Sequence, residues 1–130
     1  MRKITTFVFA AALALTAFAA GGKYADISHD ELKAAIAAHK VALVDVNGTD
    51  SYNDGHIPGA MNYAAVRADF AARLPADKSA LVVAYCGGPQ CTAYRAAYDA
   101  AVALGYTNVK HYSGGISGWE DKDEVVEKSG

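Results

Sequence analysis

Apolar residues fall along the chain in short blocks separated by turn-forming ones. Val41-Ala-Leu-Val-Asp-Val46 and Ala80-Leu-Val-Val-Ala-Tyr85 are near-continuous apolar runs of strand length, the pattern of strands buried on both faces. Met61-Asn62-Tyr63 reads as a short strand and Val109-Lys-His-Tyr112 as a last one. Between them the pattern turns helical. Ser28-His-Asp-Glu31 has capping-box spacing and opens a helix through about His39. Asn47-Gly-Thr-Asp50 is turn chemistry, followed by a short helical piece over Asp50–Asp54. Ala65–Arg73 predicts a helix, and the alanine-rich stretch Thr92–Leu104 another, stopped by Gly105. Strands alternating with helices predict an α/β domain whose parallel sheet is covered on both faces. The site of such a sheet lies beyond the carboxyl ends of its strands, here after Val46, Tyr85 and Tyr112.

The first residues break this pattern. Arg2 and Lys3 precede nine consecutive apolar residues, Phe7–Leu15, and Ala17-Phe18-Ala19 supplies a small-x-small cleavage site. That layout predicts a secretory signal over residues 1–19, and the run is short for a membrane span. Removing it turns 130 residues at charge −2 into 111 residues, and leaves 10 basic against 14 acidic side chains, a net charge of −4. One exported, most simply periplasmic, domain over residues 24–126 is therefore expected, in a compartment that permits disulfides. A mildly acidic balance offers no footprint for nucleic acid. Two cysteines are too few to staple a mini-fold.

Both cysteines lie in one loop. After the apolar strand ending at Tyr85 comes Cys86-Gly87-Gly88-Pro89-Gln90-Cys91-Thr92, and then a helix. Glycines let a backbone curl so that N–H groups converge on an anion, and the helix adds its positive end. A sulfur at Cys86 in that position is biased toward thiolate, the nucleophilic form. Residues 87–92 are thus expected to cradle the thiolate or a persulfide. A buried strand-end thiol beside an ordinary turn is the plainer alternative.

Together with Val44-Asp45-Val46, Tyr52-Asn-Asp-Gly-His56-Ile-Pro-Gly-Ala60 and Gly105-Tyr106 through Gly114-Gly115-Ile116 to Trp119, this loop resembles the rhodanese (sulfurtransferase) domain family. The resemblance implies a three-layer α/β/α fold with a central, mostly parallel sheet of about five strands. It implies that Cys86 takes sulfane sulfur from a small donor (thiosulfate, a polysulfide or a persulfide) and passes it to a thiophilic acceptor. Asp45 and His56 match positions that shape the fold around the loop. No cofactor is implied, and the partners expected are small sulfur anions and thiols.

The loop departs from the family pattern where members often carry arginine: that position is Cys91, followed by Thr92. Arg95, a turn into the helix, is the candidate substitute, with an Arg95–Asp99 pair as its plainer role. Asn47 also stands where many members are basic. Cys91 opens two further readings: attack on a Cys86 persulfide, or a Cys86/Cys91 dithiol–disulfide couple without sulfur transfer. A non-catalytic sulfur-anion-binding module is a third. No histidine makes a zinc spacing with Cys or Asp, and nucleotide motifs are absent from the sequence. His29 and His39 read as surface residues at helix ends, His56 as a structural hydrogen-bonder, and His111 as lining the site rim. Tyr94, Tyr98 and Val102 form a core-facing stripe, Trp119 packs a terminal helix, and Asp121–Glu127 reads as a solvated end.

Overall fold

Strand residues that alternate between two faces sort the core into two layers. The computed structural model describes residues 23–130, and the leader expected over residues 1–19 lies outside them. The strands are β1 (Ala42–Asp45), β2 (Met61–Asn62), β3 (Val82–Tyr85) and β4 (Val109–His111), all parallel in the order β2-β1-β3-β4. The helices are α1 (His29–Ala37), α2 (Thr49–Asp54), α3 (Tyr63–Val66), α4 (Phe70–Arg73), α5 (Arg95–Ala103) and α6 (Gly115–Asp121), with a 3₁₀ turn at Arg67–Asp69. Ala42, Val44, Val82, Ala84 and Val109 bury one sheet face against Phe70, Leu74, Tyr94, Ala97, Tyr98 and Ala101. Leu43, Val83 and Tyr85 bury the other against Ile27, Leu32, Ile57, Tyr112 and Trp119. Helices therefore cover both faces, and all four residues of β1 and of β3 are buried.

Among the described residues the sheet holds four strands where about five were expected. The fifth place is a single parallel bridge, Asp26 to His111, made by Ile27 N–H to His111 O and His111 N–H to Ala25 O. The capping box behaves as its spacing predicts: Ser28 Oγ accepts from Glu31 N–H at 3.1 Å. Helix α5 begins three residues later than expected. Cys91 N–H bonds Gly88 O, and Arg95 and Ala96 close i→i+3 turns onto Thr92 and Ala93 before the helix axis is set. Its inner stripe is Tyr94, Ala97, Tyr98 and Ala101, while Val102 is 50% exposed. Seven residues return to within about 20° of one helix face and eight overshoot it, so 94 aligns with 101 rather than 102.

Two local readings fail for want of long-range partners. His29 is not a plain surface residue: Nδ1 lies 3.0 Å from Tyr112 Oη, Nε2 3.4 Å from Glu124, and its ring lies 5.1 Å from that of Trp119. The segment after α6 is not simply solvated. Trp119 Nε1 donates to Val125 O, Gly59 N–H to the Glu127 carboxylate, and Glu127 pairs its backbone antiparallel with His56. His39 is exposed, just past α1 in a left-handed conformation (φ 54°).

The carboxyl ends of β1 and β3 are locked by one buried network. Asp45, fully buried, accepts from Tyr85 Oη at 2.7 Å and from Asn47 N–H at 2.8 Å, and Tyr85 Oη accepts from Ile57 N–H at 3.0 Å. Burial pushes the Asp45 carboxyl above its ordinary range against the pull of those donors, and pushes the Tyr85 phenol up strongly. Tyr85→Phe leaves the Ile57 N–H unpaired and removes a donor from Asp45. Its expected cost is about 2–4 kcal/mol in urea unfolding; a change within about 0.5 kcal/mol would contradict the network's role.

Candidate functional site

β3 is an inner strand of the sheet, and Cys86 follows its last residue, so the cysteine loop springs from the carboxyl edge between β1 and β4. Side chains alternate along β3, which returns Cys86 to the face carrying Ala84, Tyr94, Ala97 and Tyr98. Cys86 is 1% exposed, and Cys91 is only partly buried against the same cluster. The two are joined as a disulfide with Cα atoms 6.2 Å apart, within the span that such bonds reach. Pro89 and Gln90 form the exposed crown of the loop.

The cradle expected from residues 87–92 is narrower than that range. Pro89 has no N–H, and the Cys91 N–H is spent on Gly88 O. Among the described residues, the N–H groups of Gly87, Gly88, Gln90 and Thr92 make no protein hydrogen bond. Asn47 reaches the loop through its Oδ1, 3.7 Å from where a Gly87 Cβ would stand, while its side-chain amide acts on the Asp45 carboxyl, whose pKa it lowers. Thr92 is exposed at the turn into α5.

The loop's carbonyls, by contrast, are held from behind. Ile116 N–H donates to Cys86 O at 2.9 Å and Ser117 N–H to Gly87 O at 3.0 Å, so the unpaired amides at the start of α6 fix the loop. This close approach rests on Gly115. Its φ is +61°, and a Cβ there would meet Gly87 C and Gly88 N at 2.6 Å. The sequence shows Gly114-Gly115, but only the fold reveals that the second glycine abuts the cysteine loop.

The remaining candidates divide. Asp45 sits under the loop through Tyr85. His56 is buried with Nδ1 2.7 Å from Tyr52 O and its ring stacked on Tyr52, so it braces the 52–60 segment. Arg95 is exposed, with its guanidinium over the rings of Tyr24 (4.9 Å) and Tyr94 (5.9 Å). The expected partner Asp99 is instead taken by Tyr24 Oη at 3.0 Å and Lys23 at 3.8 Å. His111 does not line an open rim. It is buried on the Cys86 face of the sheet, stacked on Tyr94 at 3.4 Å, with Nδ1 3.8 Å from Asp26 and Nε2 unpartnered. Burial lowers its pKa, Asp26 opposes that shift, and Arg95 adds to it.

A model of the rhodanese-like domain matches residues 28–122. The chain belongs to the rhodanese-like domain family.

This rhodanese-like chain is 39% identical over 98 residues to the HTH-type transcriptional regulator Rv0324 of Mycobacterium tuberculosis. The match covers 72% of the chain and spans 40% of that regulator. Among solved structures, the human single-domain sulfurtransferase TSTD1 superposes with TM-score 0.61 at 26% identity, over 77% of this chain and 98% of that one. A rhodanese-related protein of Thermoplasma volcanium shares the fold at TM-score 0.62 and 23% identity, over 82% of this chain and 100% of that one. The four-stranded parallel sheet with flanking helices is thus the family's fold in this chain.

Two variants test the site's scaffold. Gly115→Ala is expected to destabilise the domain by about 3 kcal/mol or more, because the new methyl meets backbone on two sides. Gly118→Ala, with Tyr112 Oη at 3.6 Å, should stay within about 1 kcal/mol; equal costs in urea unfolding would contradict the close-approach argument. His111 binds its proton less readily folded than unfolded, so its contribution to stability is lost as pH falls below about 6.5. In His111→Phe, which keeps the ring stacked on Tyr94, the fall in Tm between about pH 7.5 and pH 5.5 should shrink. An unchanged fall would show that His111 does not carry it.

Proposed function

We propose that this rhodanese-like domain is a sulfurtransferase that carries sulfane sulfur on Cys86. The observation that carries the reading is the placement of Cys86 at the carboxyl end of inner strand β3, at the base of a loop in which the N–H groups of Gly87, Gly88, Gln90 and Thr92 make no protein hydrogen bond. Membership of the family and the likeness to a human single-domain sulfurtransferase support it. In the reduced protein the Cys86 thiolate attacks the outer sulfur of a donor, the donor's remainder leaves with the bonding electron pair, and Cys86 persulfide remains. A thiol or cyanide then takes the outer sulfur. The loop's N–H groups suit an anionic sulfur, and the chemistry needs no metal or organic cofactor.

The donor class follows from charge. The fifth position after Cys86 is Cys91, not a cation, and the guanidinium of Arg95 lies over Tyr24 and Tyr94. A dianion such as thiosulfate is poorly matched to that loop, so singly charged donors, hydropersulfide and low-molecular-weight persulfides, are preferred. We propose that this activity operates outside the cytosol, as the signal expected over residues 1–19 implies. A second reading, a Cys86/Cys91 dithiol–disulfide couple without sulfur transfer, draws on the disulfide itself.

The test is thiocyanate formation from cyanide with either donor, using full-length protein before and after reduction. Reduced wild type should form thiocyanate from a low-molecular-weight persulfide, before the Cys86–Cys91 bond re-forms, at least about tenfold faster than from thiosulfate. Oxidised protein and Cys86→Ser should fall by about a hundredfold or more. Undiminished activity in Cys86→Ser would overturn the reading. Reduced protein that takes up no sulfur yet oxidises and reduces other dithiols would favour the redox couple.

A further inference from the structure

On the reading that Cys86 carries the persulfide, we infer that Cys91 is the resolving residue, and that the domain is a persulfide reductase releasing hydrosulfide and ending each turnover as the Cys86–Cys91 disulfide. The bond between the two sulfurs occupies the atom that must attack the donor. A permanent structural staple and sulfur carriage on Cys86 exclude one another, so the bond has to open and close within the cycle. The fold is arranged for that. Five positions separate the cysteines, with Cα atoms 6.2 Å apart. The Cys91 N–H is held by Gly88 O, and Cys86 O and Gly87 O are held by α6. Cys91 is therefore kept beside Cys86 at a local concentration that no dissolved thiol matches. Burial points the same way: Cys86 is 1% exposed and Cys91 lies nearer solvent, so Cys91 is the thiol best placed to reach a persulfide on Cys86.

The sulfur attacked follows from the bond observed. A Cys86 Sγ–Cys91 Sγ bond arises when the Cys91 thiolate attacks the inner sulfur, Cys86 Sγ. The bond from Sγ to the outer sulfur breaks, and the outer sulfur leaves as hydrosulfide with the electron pair. The proton given up by the Cys91 thiol is released to solvent or taken by hydrosulfide. The outer sulfur is reduced by two electrons, and each cysteine sulfur supplies one. The disulfide is then returned to two thiols by an external dithiol, itself oxidised to a disulfide. That dithiol meets Cys91 first, the more exposed of the two sulfurs. The reaction preceding this one must deliver a persulfide or polysulfide, and the one following must supply dithiol reducing equivalents.

Full-length protein, reduced, desalted and kept free of oxygen and added thiol, is given one equivalent of inorganic polysulfide. Intact mass and free sulfide are followed together. Wild type should pass through an adduct of about +32 Da to a species about 2 Da below the reduced mass, with one equivalent of sulfide released beyond whatever loading of the adduct frees. Cys91→Ser and Cys91→Ala, confirmed folded by circular dichroism, should hold the adduct at least about tenfold longer and release no sulfide beyond that of loading until a thiol is added. An equally long-lived adduct in wild type and both variants would overturn the resolving role and leave the Cys86 carrier intact. Absence of any adduct, in wild type and in the Cys91 variants, would overturn the carrier and the resolving role together. An adduct that persists in Cys86→Ser would reverse the two cysteines' roles and overturn the assignment.

Discussion

The hydrogen bond from the Tyr85 phenol to the buried Asp45 carboxylate holds together the part of the molecule where chemistry is expected. Both groups are costly to bury alone, and each is tolerated because the other is there. Asp45 closes β1 and Tyr85 closes β3, and the phenol reaches on to the Ile57 N–H, so two strand ends and the 52–60 segment share one polar knot. Cys86 is the next residue after that knot. Its backbone has little freedom before the loop begins, and the loop's shape is therefore inherited from the sheet.

From the far side the same loop is fixed by α6. The first free amides of that helix take the carbonyls of Cys86 and Gly87, which a side chain at position 115 would prevent. With those carbonyls taken, the N–H groups of Gly87, Gly88, Gln90 and Thr92 remain without a protein partner. Two opposed effects then act on the Cys86 sulfur. Burial in an apolar cluster disfavours its thiolate, while unpaired amides favour it. The proposed chemistry requires the amides to win once the disulfide is open.

Much of this was legible in the residues, and for physical reasons. Strands β1 and β3 are buried on both faces, so their apolar runs are continuous, and the capping box at Ser28 is a local hydrogen bond that needs no tertiary context. The cysteine loop was legible because strand, glycines and helix stand side by side in sequence. What was not legible depends on partners remote along the chain. His29 meets Glu124 across 95 positions, and the charged tail docks through Trp119 and Glu127. His111 looked like a rim residue because its strand ends there, but the Tyr94 ring stacks over it. Helix α5 starts later than its composition suggests because i→i+3 turns onto Gly88, Thr92 and Ala93 precede it.

The central claim is that the loop makes Cys86 a thiolate nucleophile despite its burial. The most direct measurement is the pH dependence of alkylation of Cys86 in reduced, full-length Cys91→Ser, where no second thiol competes. A midpoint at least about one unit below the free-thiol value of about 8.5 is expected. A midpoint at or above about 8.5 would mean that desolvation governs the sulfur, and would contradict the account.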